Sequence, residues 1–158
     1  MSIKNSYPEL PEIPYQKTSI GMPYVVVFAK SLINKYSTDT LAMAYAIFRN
    51  ESANGKSGVN NNYAGIQADV GRWDNLPGKP VATCVKVDGN KETRRFLCFD
   101  SSEGYRISFE LLCIKVQQRE MATVQDYFNK WVSNPSEETE EAKANFNSLL
   151  NAGGKVFA

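Results

Sequence analysis

Histidine is absent from the 158 residues of this chain. Without an imidazole there is no Ser-His or Cys-His nucleophile pair, and the commonest general base and metal ligand is missing, so proton transfer falls to carboxylates, tyrosine, lysine or cysteine. No metal-ligand cluster is visible and no cofactor is expected. Cysteine is scarce as well. Cys84, Cys98 and Cys113 are odd in number and each sits among apolar neighbours, which reads as buried free thiols. A hairpin turning on Asp88-Gly89-Asn90 places Cys84 opposite about Arg94, out of register with Cys98, and argues against a disulfide between them. Neither sign of charge is in excess: 18 Lys plus Arg stand against 17 Asp plus Glu, so no basic field exists to attract nucleic acid or an anionic membrane. No apolar run approaches the roughly 18 residues of a membrane span. Residues 1–8 contain no apolar core of signal-peptide length, so the chain is expected to be made in the cytoplasm without an export address.

What is present fits one globular domain: 42% of the residues are apolar, enough to bury a core without covalent staples. Residues 1–21, with Pro8, Pro11 and Pro14, read as an extended arm lying on the domain or on a partner, outside the core. Residues 22–158 read as the folded domain. Pro23 opens a helix in which Val25, Phe28, Ala29, Leu32 and Ile33 recur at helical spacing. Ser37-Thr38-Asp39-Thr40 supplies caps for a second helix over 41–50. Residues 63–67 read as a short strand, 68–80 as an irregular surface connection, and 81–87 with 91–99 as a β-hairpin. Asp100-Ser101-Ser102-Glu103 has the form of a capping box before a helix that buries Ile107, Leu111 and Ile114. Further helices are expected over 123–132 and 136–151, the last stopping near Gly153-Gly154. The fold class is α+β, mostly helical with a small hairpin.

The run from Glu51 to Gln67 carries the chemistry. Counting back four and seven residues from Glu51 reaches Ile47 and Ala44, so the carboxylate continues a partly core-facing stripe just where the apolar helix ends. A Gly/Asn-rich loop follows. A carboxyl at the edge of a core, facing a groove, has its charged form disfavoured by desolvation and can deliver a proton, which is what breaking a glycosidic bond requires.

Glu51-Ser52, a small loop, Gly55-Lys56-Ser57, Asn61-Asn62, an apolar pair and Gly65-Ile66 together resemble the endo-β-N-acetylglucosaminidases of the flagellar-muramidase and autolysin type. Residues 41–67 follow that pattern without a gap, and residues 95–105 resemble the family's strand and its Ser-x-x-Glu start of the next helix. The resemblance covers about residues 24–116. It implies a lysozyme-like fold and cleavage of β-1,4 bonds between N-acetylglucosamine and N-acetylmuramic acid in peptidoglycan. Glu51 takes the general-acid position, and Asn61, Asn62 and Gly65 match the loop of the glycan groove. The same Glu-Ser start with Gly65-Ile66-Gln67 is also similar to lytic transglycosylases of the superfamily.

Two departures bear on mechanism. Ala53-Asn54 stands where the family usually has Gly-Trp, and Val85 stands where its hairpin often carries a second glutamate. Asp88, Glu92, Asp69 and Asp74 are the nearby acids that would have to substitute, Asp88 and Glu92 being the two on the hairpin. Classical hydrolysis uses two carboxylates. One secure carboxylate points to assistance by the substrate's N-acetyl group or to transglycosylase chemistry, and leaves open a reading of another class, an inactive lysozyme-like structural component of a virion or secretion system that binds its partner through the arm. Phage-type or other non-classical release would bring such an enzyme to the wall. Around the acid, Tyr63 and Gln67 are candidate sugar-subsite residues, and Trp73 is a candidate stacking platform. Trp131, Tyr105 and Tyr127 read as packing residues, Asn60-Asn61-Asn62 also suits a tight turn, and the acids at 137–141 read as a solvated helix start.

Overall fold

Ser37 caps the central helix by accepting a hydrogen bond from the Thr40 amide at 3.1 Å. Helix α2, Thr38–Glu51, then buries every residue from Leu41 to Phe48. A helix apolar on all sides has to be enclosed on all sides. The computed structural model, which describes residues 3–158, shows how. In chain order the elements are β1 (Lys17–Thr18), α1 (Met22–Lys30), α2, β2 (Gly58–Val59), β3 (Ala82–Asp88), β4 (Lys91–Cys98), α3 (Gly104–Gln118), α4 (Val124–Lys130), a 3-10 turn (Pro135–Glu137) and α5 (Glu140–Val156). Helices α3 and α5 pack along α2, with α1 against α3 and α4 against α5. Strands β1 and β2 form one small antiparallel sheet, β3 and β4 another. The architecture is α+β and mostly helical.

One core lies between α2, α3, α4 and α5, where Phe48 stacks on Tyr63 and tilts against Phe109. A second cluster, with Ile66, Leu97, Phe99, Ile107 and Leu111, lies between α3 and the hairpin. Tyr7 belongs to that second cluster and is only 4% exposed. The arm is therefore not outside the core as its prolines suggest. It lies on the domain, with Ser6 N–H donating to Ala68, Ile13 N–H to Thr83 and Thr83 N–H back to Pro11.

The hairpin differs in register from expectation. Its turn uses only Gly89-Asn90, with Gly89 at φ +65°, and an extra residue bulges out opposite Lys86/Val87. Each feature shifts the pairing by one, so Cys84 faces Phe96 and not Arg94. Cys84 and Cys98 consequently lie on one sheet face, diagonal to each other across the ladder. All three cysteines are buried and free.

Three other expectations change. Residues 63–67 form no strand: only Gln67 bridges to Phe96, because Asn60, Asn61 and Gly65 at positive φ keep turning the chain. The capping box at Asp100 does not form. The Glu103 and Gly104 amides instead donate to the Asp100 carbonyl, and α3 begins at Gly104 without a side-chain cap. Helix α5 starts at Glu140, capped by Thr139, and runs through both glycines to Val156. Gly153 is there for packing, not termination: a Cβ on it would sit 2.8 Å from the Ala42 carbonyl oxygen of α2. Within α1, Val25 and Ala29 are buried as the spacing requires, and Leu32 just beyond it, whereas Ile33 is exposed.

Candidate functional site

Glu51 is the last residue of α2, and the loop after it is held by its neighbours in the motif. The buried Ser52 hydroxyl donates to the Phe48 carbonyl and accepts from the Gly55 amide, folding the chain back at the helix end. Gly55, at φ +84°, fits against the Ile20 carbonyl, where a Cβ would lie 2.3 Å from the oxygen. Gly58 fits against the Tyr63 ring. These positions are fixed by close approach of backbone to backbone and backbone to ring, a local reason for a Ser/Gly pattern.

The asparagines that follow hold structure. Asn62 is buried, donates through Nδ2 to the Ile66 and Leu97 carbonyls at 2.9 Å each, and accepts from the Ile66 amide at 3.0 Å. Asn61, at φ +66°, donates to the Phe99 carbonyl. Asn60 accepts from the Gln16 amide and donates to the Pro14 carbonyl, fastening the arm. The turn-former reading of this segment accounts for its side-chain bonds. Asn62 still contributes to a cavity wall, together with Glu51, Ser57, Val59, Tyr63 and Phe96, in a pocket of about 180 Å³.

That pocket adjoins a larger cleft of about 560 Å³, with which it shares Glu51, Ala64, Gly65 and Phe96. The cleft is within the size range of small-molecule sites. Gln67, Arg119, Trp131, Ser133 and Glu137 are among its lining residues. Glu51 stands where the two meet. Its side chain is exposed, which corrects the expectation of a carboxyl shielded by the core: the buried stripe of Ala44 and Ile47 ends one turn earlier. It is nonetheless tethered. Tyr127 Oη donates to Glu51 Oε1 at 2.7 Å and Trp131 Nε1 donates to the same oxygen at 3.2 Å. Oε2 has no hydrogen-bond partner among the described residues.

Helix α4 is what brings these donors to the acid. Thr123 and Asp126 form a complete capping box at its start, and Tyr127 and Trp131, four apart, share one face. Tyr127 is 2% exposed, and its ring lies flat on Phe146 of α5 at 3.9 Å between centroids. Burial, then the neighbouring Glu51 charge and hydrogen bond, hold the Tyr127 hydroxyl well above the usual tyrosine range, so it remains a donor at any working pH. The hydroxyl also accepts from Asn50 Nδ2 at 2.8 Å, completing a chain from Asn50 through Tyr127 to Glu51. Trp131 carries the Arg119 guanidinium over its ring at 5.1 Å.

The structure thus gathers Glu51, Asn62, Tyr63 and Gln67 of the expected residues. Tyr63 is 4% exposed and forms a wall of the smaller pocket by its stacking on Phe48. Asn61, Trp73, Asp88 and Glu92 line neither cavity. Trp73 is half-buried, donates to the Gln67 carbonyl and packs with the Tyr7 cluster, so it is no open platform. Asp88 sits at the hairpin tip beside Thr93, and Glu92 accepts from the Ile3 amide. The carboxylate that does share the larger cleft with Glu51 is Glu137. Phe96, which the sequence reading does not single out, lines both cavities.

No family model, no curated protein and no solved structure matches this chain.

Tyr127→Phe tests the tether. It removes the shorter donor to Glu51 and the acceptor of Asn50 Nδ2, both of which water can replace at these exposed residues, at a stability cost of about 0.5–1.5 kcal/mol. If Glu51 does chemistry, turnover drops roughly tenfold, the equivalent of about 1.4 kcal/mol. Chemical denaturation and a turnover assay on the same preparation read both.

Proposed function

We propose that this chain is a peptidoglycan-cleaving glycosidase, acting on β-1,4 bonds between N-acetylglucosamine and N-acetylmuramic acid, with Glu51 as general acid. The observation that supports it is the placement of Glu51 in the shared wall of two adjoining cavities, with Oε1 fixed by two donors and Oε2 without a partner among the described residues. A carboxyl held in this way has one oxygen for orientation and one for proton delivery. A glycan strand lying along both cavities displaces water from around Oε2 and leaves the glycosidic oxygen as its hydrogen-bond partner.

In the reaction, the proton on Oε2 passes to the glycosidic oxygen as the bond from that oxygen to the sugar C1 breaks. Positive charge develops on C1. With neither Asp88 nor Glu92 of the hairpin in either cavity, that charge is met in one of three ways: by the substrate's acetamido oxygen, giving an oxazolinium that water then opens as Glu51 takes up the water's proton; by its 6-hydroxyl, whose proton returns to the Glu51 carboxylate; or by water, whose proton passes to Glu137. Phe96 and Trp131, which line the larger cleft, offer ring surface to sugars, and Gln67 offers an amide to hydroxyl groups.

Incubating purified peptidoglycan with the protein and identifying new chain ends by mass spectrometry tests the reading. Reducing N-acetylglucosamine or N-acetylmuramic acid ends report hydrolysis, and 1,6-anhydro ends report transglycosylation. A complete lack of fragments, with binding retained, contradicts the enzyme reading and supports a structural or binding component of a virion or secretion complex.

A further inference from the structure

The arm does more than cover the domain. Its residues Tyr15 and Lys17 form, with Lys56, Ser57, Gly58 and Val59, a third cavity of about 230 Å³. Ser57 and Val59 are also walls of the smaller Glu51 pocket, so the three cavities adjoin through shared wall residues as a trench-like row, with Glu51 where the inner two meet. The outer end is positive. Lys17 stands in β1 opposite Val59, Lys56 lies on the loop leading into β2, and neither ammonium has a carboxylate partner among the described residues.

This end is held in place by the same loop that follows Glu51. Asn60 N–H donates to the Gln16 carbonyl at 2.8 Å, Gln16 N–H to Asn60 Oδ1 at 2.9 Å, Asn61 N–H to Thr18 Oγ1 at 2.9 Å and Ile20 N–H to the Gly55 carbonyl at 2.8 Å. Two like charges on one concave surface repel each other unless an anion sits between them. A tyrosine beside them adds ring surface and a hydroxyl.

We infer that Tyr15, Lys17 and Lys56 form a distal subsite that binds carboxylate groups carried by the glycan strand. The inference rests on the glycosidase reading and deepens it: the trench takes a strand that runs past Glu51 on both sides, and its arm-built end selects for acid-bearing sugars. Two sources present that chemistry, the lactyl ether of N-acetylmuramic acid once peptide is removed and the carboxylates of an attached stem peptide.

The double reversal Lys17→Glu with Lys56→Glu tests it on three substrates: peptide-bearing strands, peptide-stripped strands, and an N-acetylglucosamine oligomer that has no carboxylate. Both side chains are exposed, so the thermal midpoint should hold. Cleavage of acid-bearing strands is expected to fall about tenfold, chiefly through KM, with the neutral oligomer unaffected. A fall confined to peptide-bearing strands assigns the stem peptide; a fall on stripped strands as well assigns the lactyl group. Equal cleavage of all three by variant and parent, or an equal fall on the neutral oligomer, overturns the inference. Co-sedimentation with peptidoglycan is read in parallel, because it does not depend on turnover. If the parent cleaves nothing, loss of co-sedimentation in the variant still supports the subsite, and unchanged co-sedimentation overturns it.

Discussion

Glu51→Gln is expected to lower glycan cleavage by about 10²–10⁴-fold, the contribution typical of a positioned acid or base, while leaving the fold intact. Glutamine keeps the shape of the side chain, and its oxygen still accepts from Tyr127 and Trp131. What it lacks is a proton to give. Because Glu51 is exposed, the exchange alters no buried charge, so thermal unfolding should match the parent within error. A variant that unfolds earlier would assign Glu51 a role in holding α4, and a variant that cleaves normally would remove it from the chemistry.

Gly104→Ala is expected to destabilise the chain by about 3 kcal/mol, the upper part of the usual range for overpacking. A Cβ there would lie 2.0 Å from the Asn61 carbonyl oxygen and 2.6 Å from Asn61 Cβ. The obstacle is backbone, not the end of a flexible side chain, and Asn61 already occupies φ +66° with its side chain bound to Phe99. Either α3 shifts or the loop after Glu51 shifts, so activity should fall along with stability. For a chain of this length the melting midpoint should drop by roughly 6–12 °C. Gly154→Ala is the matching control. Gly154 is exposed within α5, with open space where its Cβ would go, and alanine should raise stability by about 0.5–1 kcal/mol. If both glycines tolerate alanine equally, the packing described at the start of α3 is wrong.

The pair illustrates what the sequence could and could not disclose. Helix α2 was legible because an unbroken apolar run behind a Ser/Thr/Asp cap leaves little alternative, and the hairpin because Asp88-Gly89-Asn90 interrupts two extended runs. The end of α5 was not. A Gly-Gly pair late in a helix has the local signature of a terminator, whereas Gly153 answers to Ala42, over a hundred positions away in the chain. The same limit applied at the site. Glu51 could be picked out from its place at a helix end before a tight loop, but its partners Tyr127 and Trp131 lie 76 and 80 residues on. Their four-residue spacing signals a shared helix face, not which surface that face meets. Asn60, Asn61 and Asn62 showed the reverse case: their side chains form turn, arm and strand anchors, a role their tolerance of positive φ already indicated. The bulge opposite Lys86 left no clear sequence mark, and with it the adjacency of Cys84 and Cys98 stayed hidden.

Whether a glycan strand lies across Glu51 decides the proposed function. Crystals of the Glu51→Gln protein soaked with an N-acetylglucosamine tetramer address it directly. Sugar rings are expected in the trench on both sides of position 51, with a glycosidic oxygen within hydrogen-bond reach of the substituted amide. An oligosaccharide bound elsewhere, or an empty trench at saturating ligand, would contradict the reading.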